Sequence, residues 1–138
     1  MRKLFVLAIA AALLLAACGG DDDDSGGSAS KAPVQLSGKV NDKGTKTVSG
    51  SSISLEADDF YFNPTFIEAK PGTKLSIEIE NEGSATHNFS IDSANLSKDI
   101  TPDGKATVEV TVPSSGSLNF YCKFHKSSGM QGAIVAKT

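Results

Sequence analysis

Tryptophan is absent from the 138-residue sequence, and cysteine, histidine and methionine occur only twice each. Each scarcity narrows the reading. Lys and Arg number 13 against 16 Asp and Glu, with no basic cluster and no interleaving of basic and aromatic residues, which excludes a nucleic-acid-binding surface. The longest apolar run, Leu4–Leu15, falls short of the ~20 residues that span a bilayer core. After Ser51 no stretch repeats apolar residues with helical period. The cysteines, Cys18 and Cys122, lie at opposite ends of the chain. If Cys18 is modified, Cys122 has no disulfide partner and is a lone thiol that calls for a chemical role.

The N-terminus has the parts of an export signal. Arg2 and Lys3 precede the apolar run, which closes on Leu15-Ala16-Ala17-Cys18. Small residues directly before a cysteine resemble the bacterial lipobox, so residues 1–17 are expected to be a lipoprotein signal peptide and Cys18 the lipidated first residue. More than one acyl chain on Cys18 would give stable membrane attachment. Gly19–Ser30 carries the run Asp21–Asp24 among Gly and Ser and has nothing to pack. Residues 18–50 are expected to form a flexible linker, with part of 31–50 available as an edge strand. The protein is thus expected to be extracytoplasmic and membrane-anchored, at the cell surface or periplasmic face.

From Ser51 the pattern changes to period two. Ile53, Leu55 and Ala57 share one face; so do Leu75, Ile77 and Ile79, and then Ala106, Val108, Val110 and Val112. Asn63-Pro64, Pro71-Gly72, Pro102-Asp103-Gly104 and Pro113–Gly116 mark turns. Short strands are also expected at Phe66–Ala69, His87–Ile91, Leu118–Tyr121 and Ala133–Ala136, while Asp92–Gly104 reads as polar and irregular. Many short alternating strands between Gly/Pro turns predict an all-β fold, an antiparallel sandwich or barrel over 51–138.

One loop concentrates the metal-ligating residue types. Cys122-x2-His125-x4-Met130 sets a thiolate, an imidazole and a thioether between two strands. In a sandwich, loops from different strands meet at one end, so His87 can supply a second imidazole. Two His, one Cys and a long, weak Met contact are the donor set of a blue-copper electron-transfer site. Thiolate and thioether suit Cu(I), imidazole suits both oxidation states, and a geometry between their preferences needs little rearrangement when an electron moves.

Gly83-Ser84-Ala85-Thr86-His87-Asn88 followed by Tyr121-Cys122-x2-His125-x4-Met130 resembles the cupredoxin family, with loop spacing like that of plastocyanin and pseudoazurin. The Lys70-Pro71-Gly72-Thr73 turn is similar as well. The resemblance implies a Greek-key β-sandwich with antiparallel and mixed strands. It implies one copper ion held by His87, Cys122, His125 and Met130. Asn88 would donate its backbone N–H to the Cys122 sulfur and tie the two loops with its side chain. Tyr121 would lie on an electron route. Phe124 stands where plastocyanin and pseudoazurin have proline, and it restores an N–H expected to bond the thiolate and raise the potential.

The resemblance points to a monomeric carrier, not an enzyme, that moves single electrons between redox partners such as a membrane-bound oxidase, reductase or cytochrome. Copper handling at the cell envelope is the alternative, though the exposed Met/His clusters typical of such proteins are missing. Multicopper oxidase or nitrite reductase chemistry needs further histidines, and a dinuclear CuA centre needs a second loop cysteine.

Overall fold

The computed structural model describes residues 31–138. The expected signal peptide, Cys18 and Asp21–Asp24 lie outside the described residues. Ten strands follow: β1 (Thr45–Val48), β2 (Ser52–Asp58), β3 (Tyr61–Asn63), β4 (Phe66–Ala69), β5 (Lys74–Asn81), β6 (His87–Ile91), β7 (Leu96–Ile100), β8 (Lys105–Thr111), β9 (Ser117–Tyr121) and β10 (Gln131–Ala136). They form two sheets, one of six strands in the order β1-β4-β10-β9-β6-β7 and one of four in the order β3-β2-β5-β8. Both are mixed. β1 and β10 run parallel to β4, and β2 parallel to β5, while the remaining pairs are antiparallel. The fold is an all-β sandwich, as the sequence pattern predicts.

Period-two alternation explains how the layers meet. In β5, Leu75, Ile77 and Ile79 are fully buried, while Lys74 and Glu78 on the alternate positions face water. β2 and β8 flank β5 and present Ile53, Leu55 and Ala57 on one side and Ala106, Val108 and Val110 on the other to the same core. The facing sheet contributes Ile67, Phe89, Ile91, Phe120 and Ile134. Phe62, Phe89 and Phe120 interlock across the layers with ring centroids 5.8, 5.3 and 4.9 Å apart, two of the three pairs edge-on. Cys122 and Met130 belong to this same apolar cluster and sit at one end of it. Gly132 is fixed by close approach, because a Cβ there would lie 2.1 Å from the Thr65 carbonyl and 2.5 Å from the Phe120 ring.

Two segments differ from the sequence expectation. Asp92–Gly104 was expected to be irregular, yet Leu96–Ile100 is a strand that pairs with all of β6. A short 3-10 turn at Asp92–Ala94, with Asn95 at φ 50°, reverses the chain between them. β7 is an edge strand exposed at its three central residues, so only Ile100 is buried and the alternation that marks a strand is lost. The other difference lies upstream of Ser51. Thr45–Val48 is the edge strand that the expected linker left open, and the residues before it are also held. Gln131 Nε2 donates to the Ser37 and Lys39 carbonyls at 2.8 and 2.7 Å. Asn41 N–H donates to the Gly129 carbonyl at 2.9 Å. The Gly44 carbonyl accepts from the Thr65 and Phe66 amides at 3.0 Å each. This strap is held by polar bonds instead of buried side chains, so hydropathy does not register it.

Candidate metal centre

His87 opens β6, and Cys122 follows the last residue of β9. These neighbouring strands are antiparallel, with Ser90 opposite Tyr121, so His87 and Cys122 come to the same end of the sandwich. Residues 122–130 then form a compact loop from β9 to β10. Its ends are joined by the Cys122 N–H bond to the Met130 carbonyl at 3.0 Å. Inside it, the His125 amide donates to the Cys122 carbonyl at 3.1 Å, and the Ser128 and Met130 amides to the His125 carbonyl at 3.0 and 3.2 Å. Gly129, at φ 102°, supplies the left-handed turn that brings the chain back.

The side chains converge. His87 Nδ1 lies 3.2 Å from His125 Nδ1, and His125 Nδ1 lies 3.4 Å from Cys122 Sγ. The ligand atoms of all three residues lie within 4.8 Å of one another. These spacings suit a bound metal. Nitrogens at ~2.0–2.1 Å and a thiolate at ~2.3 Å, the lengths found at zinc, stand roughly 3.1–3.6 Å apart for bond angles near ~100–110°. Soft sulfur with imidazole nitrogen is the chemistry of a copper or zinc donor set. His87 and Cys122 are fully buried, while His125 is partly exposed. Met130 is fully buried at the base of the same loop, its carbonyl bonded to Cys122.

A group from the opposite sheet completes the surroundings of His87. Asp59, in the turn between β2 and β3, places Oδ1 2.9 Å from His87 Nε2. Its Oδ2 accepts from the Ser84 amide at 3.0 Å and the Ser84 hydroxyl at 2.5 Å. The Ser84 hydroxyl bond is the leading reason that the Asp59 carboxyl is lowered to about 2. An ionised carboxylate only accepts, so Nε2 of His87 is the donor, and neutral His87 turns an unprotonated Nδ1 to the centre. Burial lowers the pKa of His87 and favours that neutral ring, against the opposing pull of Asp59. The neighbouring Phe60 packs at a tilt of 43° against the His125 ring, with centroids 4.4 Å apart.

The remaining sequence-predicted residues surround this cluster. The Asn88 side chain does tie the two loops, since its Oδ1 accepts the Lys123 amide at 3.4 Å. Its Nδ2 donates to Asp99 Oδ1 at 2.6 Å and to Ser97 at 3.1 Å, both on β7. Among the described residues the polar partner of the Cys122 sulfur is His125 Nδ1, and neither the Asn88 nor the Phe124 amide reaches it in hydrogen-bond geometry. Phe124 instead acts at the surface. Its side chain is 50% exposed and lies edge-on to His125 at 6.2 Å. Tyr121 donates its hydroxyl to Asp92 at 2.7 Å beneath the Lys126 ammonium, 4.2 Å from its ring centre. Asp59, Phe60 and Asn41 were not legible as site residues. Asp58-Asp59 reads as an ordinary solvated turn, and only the tertiary fold brings it behind His87.

A family described as the cupredoxin-like domain matches residues 6–136. The chain belongs to the cupredoxin-like family. No curated protein sequence matches it. Among solved structures, dithionite-reduced auracyanin from the photosynthetic bacterium Roseiflexus castenholzii superposes with a TM-score of 0.57 at 18% identity, over 66% of this chain and 100% of that one. The metal-binding domain of the Cu(I)-exporting P-type ATPase CopA of Streptococcus pneumoniae, with Cu(I), also gives 0.57, at 14% identity over 68% and 96%. Auracyanin A of Chloroflexus aurantiacus, a "blue" copper protein, gives 0.51 at 16% identity over 67% and 100%. At these identities the likeness is one of fold, and this cupredoxin-like chain shares the sandwich with a "blue" copper protein and with the metal-binding domain of a copper-exporting ATPase alike.

Proposed function

We propose that this cupredoxin-like protein is a mononuclear blue-copper electron carrier, tethered to a membrane through Cys18 and working outside the cytoplasm. The observation that carries the reading is the convergence of His87 Nδ1, His125 Nδ1 and Cys122 Sγ in one buried cluster whose His125 edge alone reaches the surface. His87, Cys122 and His125 hold the ion, and Met130 is the weak fourth ligand. Copper held there would supply a one-electron Cu(II)/Cu(I) couple between a reduced and an oxidised redox protein.

The residues of the chain account for the rest. Cys122 would bind the metal as thiolate, releasing its proton to solvent. Burial of His87 and Cys122 keeps water from the centre, and the self-bonded loop holds His125 and Met130 in one register. The exposed edge of His125, between Phe60 and Phe124, gives an electron a short path to a docked partner. That partner is a membrane-bound oxidase, reductase or cytochrome. The N-terminal sequence supports the location, since the basic start, the short apolar run and Ala-Ala-Cys18 form an export and lipidation signal.

One titration tests the core of the reading. Cu(II) added to the purified protein should bind with one-to-one stoichiometry, give an intense blue colour and cycle reversibly by one electron. Cys122→Ser should remain colourless with copper. A colourless wild-type adduct refutes the reading, and copper that exchanges rapidly with a chelator but transfers electrons poorly would turn it toward copper handling.

A further inference from the structure

Resting on the copper reading, we propose that Asp59 is a positioning residue of the metal centre that fixes the His87 tautomer and biases the site toward the oxidised ion by holding a negative charge against the back of that ligand. The geometry is specific. Asp59 comes from the β2–β3 turn, on the sheet opposite His87, and one carboxylate serves two elements. Its Oδ1 meets His87 Nε2 at 2.9 Å, and its Oδ2 takes both the Ser84 amide and the Ser84 hydroxyl. The Ala85 amide approaches Oδ1 at 3.4 Å. These donors hold the carboxylate in the loop that leads into His87, although its side chain is 27% exposed.

Gly83 is an independent sign that this pair has shaped the loop. A Cβ at Gly83 would lie 2.5 Å from Asp59 Oδ1 and 2.7 Å from His87 Nε2. The space that a side chain would fill is occupied by the hydrogen bond itself. Any residue larger than glycine has to push the carboxylate, the imidazole or both.

The chemistry follows from charge. A neutral acceptor behind a metal-bound imidazole orients the ring. A carboxylate also makes the ring a stronger donor and adds a full negative charge near the ion. A more basic ligand and an added negative charge favour Cu(II) over Cu(I), because the oxidised ion carries the extra positive charge. The one-electron step is unchanged, and Asp59 alters only the position of its equilibrium.

The test uses the full domain with Asp59→Asn, Asp59→Ala and Gly83→Ala. In copper-loaded protein titrated against a one-electron redox dye, Asp59→Asn should lower the preference for Cu(II) over Cu(I) about tenfold, a rise of about 59 mV for a one-electron couple. Gly83→Ala, which displaces the pair without changing charge, should shift it in the same direction. In metal-free protein, nitrogen NMR should find wild-type His87 as the Nε2–H tautomer and Asp59→Ala as a mixture of the two. A preference unchanged within twofold in Asp59→Asn, or a His87 tautomer unaltered in Asp59→Ala, overturns the proposal. A wild-type protein that fails to turn blue sinks the copper reading instead, and the metal-free tautomer measurement still decides whether Asp59 sets the orientation of His87.

Discussion

Asn41 is the point at which the upstream strap can be released with least disturbance to the sheets. Its side-chain nitrogen donates to two carbonyls, Phe60 at 2.8 Å and Ser128 at 2.9 Å. One acceptor is the carbonyl of the aromatic residue that packs on His125, and the other lies in the ligand loop itself. Asn41→Ala removes both bonds and leaves the backbone bond to Gly129 in place. A hydrogen bond of this kind contributes ~0.5–1.5 kcal/mol net. The Phe60 carbonyl is exposed enough to regain water, so the expected loss is about 1–2 kcal/mol for the pair. For a domain of roughly a hundred residues that corresponds to a fall in Tm of about 5–15 °C. Urea and thermal unfolding of the metal-free protein measure it, with Lys46→Ala on exposed β1 as a control expected within about 0.5 kcal/mol of wild type. Amide hydrogen exchange should also quicken at Ser128 and Met130, since the clasp restrains the loop that carries them. A loss no greater than the control, with exchange unchanged in the loop, would refute the idea that the strap braces the metal end.

Two further outcomes separate the chemistry of the site from that of the scaffold. Replacing Met130 with Gln exchanges a soft thioether for a harder amide oxygen, which favours Cu(II). The potential should fall by at least ~59 mV, tenfold in the preference, and an unchanged value in voltammetry would remove Met130 from the ligand set. Away from the site, Glu68 accepts from Lys137 and from Thr47, and the Lys137 bond is the leading reason its pKa lies below the usual carboxylate value. A depressed folded pKa stabilises the protein above the unfolded value and loses that contribution as pH falls through the folded one. Glu68→Gln should therefore be less stable than wild type at neutral pH, with the gap closing in acid. A gap that widens on acidification in urea titrations would reverse the assignment.

The legible parts of this protein were those whose physics is written along the chain. β5 and β8 alternate strictly because one face of each meets the core and the other meets water. The ligand loop is legible because three metal-binding residue types fall within nine positions, and His87 is the other histidine of the chain. What escaped is held by partners remote in sequence. β7 has Lys98 between Leu96 and Ile100, so an edge strand with one buried residue looks like loop. The strap around Asn41 replaces apolar burial with amide-to-carbonyl bonds, which composition reads as linker. Asp59 is one aspartate of a pair in a tight turn, and only the packing of one sheet on the other turns it into a partner of His87. The Phe124 amide was expected at the sulfur, but the turn sends the neighbouring His125 amide to the Cys122 carbonyl and points the Phe124 ring outward.

Ser37, Gly38 and Lys39 border the same surface groove as Phe124 and Lys126. The segment around Gly38 therefore passes beside the loop that carries His125. On the reading proposed above, a partner that docks at the His125 edge also meets the strap, and the bonds that brace the metal end border the docking face.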